Sequence, residues 1–261
     1  MKPESSINLI RETNLKTWNN FIDENLQQVL NLQLADVPYD TDYSIVIIEP
    51  RSHHHLEFII RSALRCLGSN WGVTFFCGRE NRQYVECIGN MLGGFKIIEL
   101  DVANLSTTEY NYLKKTTWLW EQIDAEHVLW LEPDCLILRP GIEEYLKYDY
   151  IGAPWHPMFS PSPACRVGNG GLSLRKRSAM LKVSKQCNPD VKVIFPEDNY
   201  FVTNMTMWNQ QKPGTFRIAP LTVAKTFAVE SVFYPTPFGL HKSWNYLKPK
   251  FFNQLLQSFQ Y

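Results

Sequence analysis

The sequence contains no CxxC pair, no internal repeat, no excess of either charge and no apolar run approaching the roughly 18 to 20 residues of a membrane span. Its six cysteines, Cys66, Cys77, Cys87, Cys135, Cys165 and Cys187, are scattered. That spacing excludes a zinc ribbon or a dense disulfide framework and reads as mostly reduced, buried thiols. Lys plus Arg and Asp plus Glu both number 26, so no net field draws the chain to nucleic acid or an anionic membrane. An anionic ligand must therefore be held by local groups. The opening MKPESSINLI shows no signal-peptide pattern, and with the thiols this predicts a cytoplasmic protein without a membrane span. The two N-x-S/T sequons, at Asn104 and Asn204, are about what chance supplies. What is present is ample core material: 44% hydrophobic and 13% aromatic residues in 261 exclude a disordered chain.

Residues 1–38 are polar with a spaced apolar set (Leu15, Trp18, Phe21, Ile22, Leu26, Leu30), which predicts one or two peripheral helices. From Tyr43 the texture changes. Ser44-Ile-Val-Ile-Ile48 reads as a strand buried on both faces, and Leu56, Ile59, Ile60, Ala63, Leu64 and Leu67 form a helical stripe closed by Gly68. Val73–Cys77 and Phe95–Leu100 read as further strands. Ser106 with Glu109 predicts a capping box on a helix running to about Ile123, before strands at His127–Leu131 and Cys135–Leu138. This alternation predicts an α/β fold with a mostly parallel central sheet flanked by helices, in one domain over 39–261. Ligands on such sheets sit at the carboxyl ends of strands, where Glu49, Arg51, Arg79 and Asp134 fall. The half at about 39–140 is expected to bind a nucleotide, and the half at about 141–261 to shape an acceptor site.

Several residues are candidates for chemistry. Asp134, after an apolar strand and Pro133, can hold a hard divalent cation that bridges phosphate oxygens, with Glu132 sharing the coordination sphere through water. Equally, Asp suits a strand-to-strand corner as a turn residue. Gly168-Asn169-Gly170-Gly171 removes Cβ atoms where a backbone bends or approaches a ligand, or else forms a tight hairpin turn. It is not a GxGxxG phosphate loop. Glu197 and Asp198 read either as a helix N-terminal cap or as a pair in which one carboxylate takes a proton from an attacking hydroxyl. His241 can ligate a Mn2+-like cation, and Lys242 beside it can hold phosphate, although a lone histidine is more often packed or solvated. His53, His54 and His55 mark a helix start rather than a metal site. Trp155 and Trp244, in loops rich in glycine and proline, are the candidates for stacking on a sugar.

In order, Ile48-Glu-Pro-Arg51, Val128-Leu-Trp-Leu-Glu-Pro-Asp134-Cys-Leu-Ile-Leu138, Tyr148-Asp-Tyr-Ile-Gly-Ala-Pro-Trp155, Gly168-Asn-Gly-Gly-Leu-Ser-Leu-Arg175, Glu197-Asp-Asn-Tyr-Phe201, Phe227-Ala-Val-Glu230 and Gly239-Leu-His-Lys242 resemble a glycosyltransferase family known mainly as a domain of unknown function and placed with the GT-A fold. The resemblance spans about Tyr43 to Trp244. It implies a nucleotide-sugar donor, a UDP-sugar foremost, a glycan or glycoconjugate acceptor, and a divalent cation, Mn2+ or Mg2+. Where such enzymes often carry DxD, this chain has Glu132-Pro-Asp134, which leaves strict metal dependence open. A C-terminal histidine completes the metal site in several GT-A families, and His241 is similar in position.

In inverting relatives the second carboxylate of an acidic pair is the base, which here is Asp198 with Glu197 as its neighbour. Glu49, Arg51, Arg79, Glu132 and Lys242 then face the donor, and Trp155, Asn169, Gly170, Gly171 and Trp244 the acceptor. Suppression of hydrolysis predicts a closing loop at 155–166. Two other readings stand beside this one. A nucleotidyltransferase shares the architecture but usually carries a glycine-rich basic loop after the first strand. A catalytically inactive carbohydrate-binding or partner-binding protein would keep the fold, with Glu-Pro-Asp as the sign of decay.

Overall fold

The structure, a computed structural model, describes residues 3–157, 166–187 and 196–259. A single long helix, α1 (Pro3–Leu30), precedes the first strand. There follow β1 (Tyr43–Glu49), α2 (Leu56–Leu67), β2 (Trp71–Cys77), α3 (Arg82–Met91), β3 (Lys96–Glu99), α4 (Thr107–Lys115), α5 (Thr117–Glu121), β4 (His127–Leu131) and β5 (Cys135–Ile137). The rest comprises β6 (Tyr150–Gly152), β7 (Leu172–Lys176), α6 (Arg177–Gln186), α7 (Glu197–Gln211), α8 (Leu221–Phe227), β8 (Ala228–Val229), β9 (Gly239–His241) and α9 (Pro249–Gln257).

The main sheet has the order β3-β2-β1-β4-β7-β6. Strands β1 to β4 run parallel, β7 is antiparallel to β4, and β6 is antiparallel to β7. The expected mixed α/β architecture, with a mostly parallel sheet flanked by helices, is what is observed. Alternate side chains explain why the strands read as continuous apolar runs. Ile45 and Ile47 of β1 enter one core with Leu129 and Leu131 of β4, while Val46 and Ile48 enter the other with Val128 and Trp130. With both faces covered, a polar strand residue needs a partner inside the protein, as Ser44 of β1 and Thr74 of β2 find in each other at 3.0 Å. Each fully buried aliphatic or aromatic side chain of this kind contributes about 1.5 to 3 kcal/mol.

The predicted helix to Ile123 is interrupted. The Ser106 capping box is present as expected, but Thr116 is extended (ψ 144°), ends α4 and starts α5 by accepting a hydrogen bond from the Leu119 N–H. The break turns Trp120 fully into the second core, where its indole donates to the Lys114 carbonyl at 2.9 Å.

Helix α1 docks on the C-terminal part of the chain. Asn14, fully buried, donates to the carbonyls of Trp244 (3.1 Å) and Leu247 (2.9 Å), and the Trp18 and Trp244 rings lie 4.8 Å apart. A small second sheet, β5-β9-β8, sits beyond the carboxyl end of β4 and pairs Cys135 with His241. Among the described residues Cys66, Cys77, Cys87, Cys135 and Cys187 are free thiols, Cys87 being exposed. No described helix is long and apolar enough to cross a membrane.

Candidate functional site

The carboxyl ends of β1 and β4 open into a cleft of about 360 Å3, within the range of small-molecule sites. Glu49 and Arg51 from the end of β1, Tyr110 from α4, Glu132 and Asp134 from the end of β4, and Lys242 after β9 line it. Four of the five residues expected to face a donor are therefore together. Arg79 is the exception: it follows β2, reaches Asp101 at 3.2 Å on the surface and does not line the cleft. Glu49 is buried and clamps Arg51, accepting from its Nε (2.8 Å), Nη2 (2.9 Å) and backbone N–H (2.9 Å). Asn81 fixes the base of this loop by donating to the Glu49 and Arg51 carbonyls.

Strand pairing assembles the next cluster. The β5–β9 ladder sets His241 opposite Cys135, and the Lys242 N–H donates to the Asp134 carbonyl at 3.0 Å. The imidazole Nε2 then lies 3.4 Å from Asp134 Oδ1 and 3.5 Å from Glu132 Oε2, while Nδ1 lies 3.5 Å from Glu230 Oε1. Asp134 Oδ1 and both imidazole nitrogens are buried without a hydrogen-bond partner. Burial alone would lower the His241 pKa, but the Asp134 carboxylate and the neighbouring Cys135 and Glu132 raise it well above the ordinary imidazole range. The donor set fits a divalent cation, because Asp134 Oδ1 and His241 Nε2 converge as unpaired, buried donor atoms that a bound cation would satisfy. Cys135 Sγ is in the same group. It donates to the Gly171 carbonyl at 3.2 Å, and burial pushes its thiol well up, so carboxylate and imidazole remain as the fitting ligands.

Lys242 is, among the described residues, the one non-glycine in the left-handed region (φ 48°). The strained turn points its half-exposed ammonium toward Asp134 Oδ2, 3.7 Å away. Such strain at a long side chain costs about 1 to 2 kcal/mol and clusters at functional positions.

The glycines allow a close approach of side chains. A Cβ on Gly171 would overlap the His241 imidazole, and one on Gly170 would overlap Glu197 Oε1 and stand 3.2 Å from the Asp198 Cβ. Their missing side chains make room for the site's own imidazole and carboxylates. Asn169 is likewise buried, donating to Glu230 Oε1 at 2.8 Å. Trp155 is buried in the second core and Trp244 against Trp18. All five residues of the expected acceptor set pack against other groups of the protein. The closing loop expected at 155–166 lies largely outside the described residues.

Glu197 and Asp198 occupy the first turn of α7, whose cap position, Pro196, makes no side-chain capping bond. The two carboxylates differ sharply. Both Glu197 oxygens are engaged: Arg175 donates to Oε2 (2.6 Å) and Oε1 (3.1 Å), and Lys114 lies 2.7 Å from Oε1. Despite burial, these two cations hold Glu197 ionised, below the usual carboxylate range. Among the described residues no cation pairs directly with Asp198, and Lys114 and Arg175 act on it only as weaker, more distant charges. Burial, then the Glu197 charge, push its carboxyl up to about 7, although the Asn199 N–H donates to its Oδ1 at 2.7 Å. Lys114 also reaches Glu132 at 3.4 Å and sits 4.4 Å over the Trp130 ring. Burial would raise the Glu132 pKa, but Lys114 and His241 hold it well below its usual range.

Sequence reasoning missed Tyr110, Lys114, Arg175 and Glu230 as site residues. Arg175 carried a signal, a charged residue inside the apolar run Leu-Ser-Leu-Arg175. Lys114 carried none, because a lysine in a helix's last turn ordinarily faces water.

Fold and site together describe an α/β protein with an acidic cleft at the carboxyl ends of parallel strands, ringed by two buried clusters of ionisable groups. The chain belongs to the family described as Protein of unknown function (DUF5672), whose model matches residues 94–241, more than half of its length. Two solved structures of the glycosyltransferase GlyE from Streptococcus pneumoniae TIGR4, one of them the apo form, are similar at 13% identity. Their TM-scores are 0.48 for the apo form and 0.41 for the other, each over 85% of this chain and 61% of the GlyE chain. This chain therefore spans less than two thirds of the GlyE length. No curated protein matches the sequence.

Proposed function

We propose that the protein is a glycosyltransferase that moves a sugar from a nucleotide-sugar donor, a UDP-sugar foremost, to a hydroxyl of a glycan or glycoconjugate, with inversion. One observation carries the reading: beside a cleft at strand ends the unpaired, buried donor atoms of Asp134 and His241 converge, and a carboxyl poised near neutrality, Asp198, stands behind Gly170, next to the glycine that makes room for His241. Asp134 and His241 would hold Mn2+ or Mg2+, with Glu132 adjoining. A bound cation supplies neutralisation of the diphosphate as it leaves.

The rest falls to the chain. Glu49, Glu132 and Asp134 give the cleft an acidic wall, and Arg51 is already clamped by Glu49, so a diphosphate entering alone would be repelled. Lys242, at the mouth, approaches a phosphate oxygen once Asp134 is engaged elsewhere. Asp198 removes the acceptor proton as the anomeric carbon is attacked, a role that suits a carboxyl with its pKa near the working pH. Glu197, fixed by Arg175 and Lys114, is a positioning residue whose charge keeps Asp198 basic. In this reading residues 39–140 supply most of the donor side and 141–261 the acceptor side.

A nucleotidyltransferase is less well supported, since the Glu49–Arg51 clamp stands where a glycine-rich basic loop would be needed. An inactive binding protein would have no use for a carboxyl held near pH 7 in the interior. The test is release of nucleoside diphosphate from a panel of nucleotide-sugars, with and without Mn2+ and a hydroxyl acceptor. Turnover of at least one donor is expected; release of pyrophosphate from a nucleoside triphosphate instead would favour the nucleotidyltransferase.

A further inference from the structure

The Phe227-Ala-Val-Glu230 segment ends in a carboxylate that the proposed chemistry does not use. Glu230 is buried, directly after β8, and β8 pairs in parallel with β9, the strand that ends at His241. Its Oε1 faces His241 Nδ1 at 3.5 Å, while Asp134 and Glu132 face Nε2 on the other side of the ring. The two nitrogens of an imidazole point apart, so Glu230 stands outside any coordination sphere built on Nε2. Its position is fixed in turn: Asn169 Nδ2 donates to Oε1 at 2.8 Å, and Asn169 Oδ1 accepts from the Gly171 N–H at 3.3 Å. Gly171 is the residue whose missing side chain leaves space for the imidazole, and its carbonyl accepts from the Glu132 N–H at 3.1 Å.

We propose that Asn169 and Glu230 form a positioning relay for His241, in which Glu230 takes the Nδ1–H and so turns the Nε2 lone pair toward Asp134 and Glu132 for a divalent cation. The proposal rests on the cation site proposed above and gives it an outer layer. Without an acceptor at Nδ1, a buried imidazole in this pocket is free to rotate or to carry its proton on Nε2, where it repels a cation. A carboxylate there both selects the tautomer and raises the basicity of the ligating nitrogen, and loss of such partners typically weakens metal affinity about 10- to 100-fold. Neither residue touches the cleft, so their effect on a ligand must pass through His241.

Calorimetric titration with Mn2+ alone tests this on the full chain. Glu230→Gln keeps the volume and an acceptor for Asn169 but removes the charge and offers an N–H to Nδ1. It is expected to weaken Mn2+ binding about 10- to 100-fold while the metal-free melting temperature stays near wild type. Glu230→Asp should recover part of the loss because it restores the charge. Asn169→Ala, which loosens Glu230 without removing it, should weaken binding less than Glu230→Gln. Should Glu230→Gln fail to fold, Glu230→Asp and Asn169→Ala carry the test on their own, each expected to weaken Mn2+ binding in the folded protein. A folded Glu230→Gln that binds Mn2+ within about twofold of wild type overturns the relay and leaves the cation site standing. A wild-type protein that binds no Mn2+ overturns both.

Discussion

Asp198 is held in the fold with a proton affinity it would not have in the unfolded chain, and replacing it should show this twice, in stability and in rate. Its carboxyl is nearly buried and rises from the ordinary 3.8 to about 7, through burial first and the Glu197 charge second. For an acid whose folded pKa lies above its unfolded one, the folded state holds the proton more tightly. Stability from this group is therefore greatest below pH 4 and is lost as pH rises toward 7. Above pH 7 the fold bears the full cost of an ionised, unpaired carboxylate, on the order of 4 kcal/mol from the interval between those two values. Asp198→Asn removes the charge and keeps an oxygen for the Asn199 N–H.

Urea unfolding of the metal-free protein at pH 5 and pH 8 measures the difference. The variant should gain up to a few kcal/mol over wild type at pH 8 and much less at pH 5, since other titrating groups are common to both proteins. Transfer by the variant should fall about 10²- to 10⁴-fold, and wild-type transfer should rise with pH to a plateau above about 7. A variant no more stable at pH 8 than at pH 5, relative to wild type, would refute the electrostatic reasoning; unchanged turnover would remove Asp198 as the base and reopen a retaining mechanism.

Three other substitutions separate site from scaffold. Gly171→Ala drives a methyl into the His241 imidazole; it should cost about 1 to 3 kcal/mol in a denaturant melt and weaken Mn2+ binding as well. Lys242→Gly relieves the left-handed strain and should raise stability by about 1 kcal/mol while weakening donor binding, read by thermal melts and by the KM for donor. Trp244→Ala should lose about 3 to 5 kcal/mol from the α1 interface while turnover of the folded fraction stays near wild type, where a stacking residue would lose turnover with little change in stability.

Much of the main sheet was legible because its strands obey a simple rule. Ile45 to Ile48 and Val128 to Leu131 are buried on both faces, and a polar residue inside such a run would need a partner in the interior. The capping box at Ser106 was equally plain, whereas the break at Thr116 was not, because a threonine there is compatible with both a continuing helix and a new N-terminus. Asp134, His241, Lys242 and Glu49 were recognisable from motif and strand end.

Their neighbours were not recognisable, because what brings them together is pairing over long sequence distances. Cys135 meets His241 only through the β5–β9 ladder, and Lys114 meets Glu197 only where α4 packs beside α7. The burial of Trp155 and Trp244 was not legible for a related reason. A tryptophan in a loop rich in glycine and proline is indistinguishable by sequence from one that closes a core, and only the Trp18 ring across from Trp244 decides. The glycines at 170 and 171 do make room for a close approach, but the approaching group is the protein's own imidazole and carboxylates.

The central claim is that Asp134 and His241 hold a cation against which a nucleoside diphosphate binds. Calorimetry of UDP binding in the presence and absence of Mn2+, on wild type and on Asp134→Asn, tests it most directly. The account predicts binding that requires Mn2+, stabilises the fold by about 2.7 kcal/mol at 100 times the dissociation constant, and is severely weakened in Asp134→Asn. Absence of binding by UDP, GDP and other nucleoside diphosphates with Mn2+ or Mg2+ present, or binding indifferent to the metal and to Asp134→Asn, would contradict it.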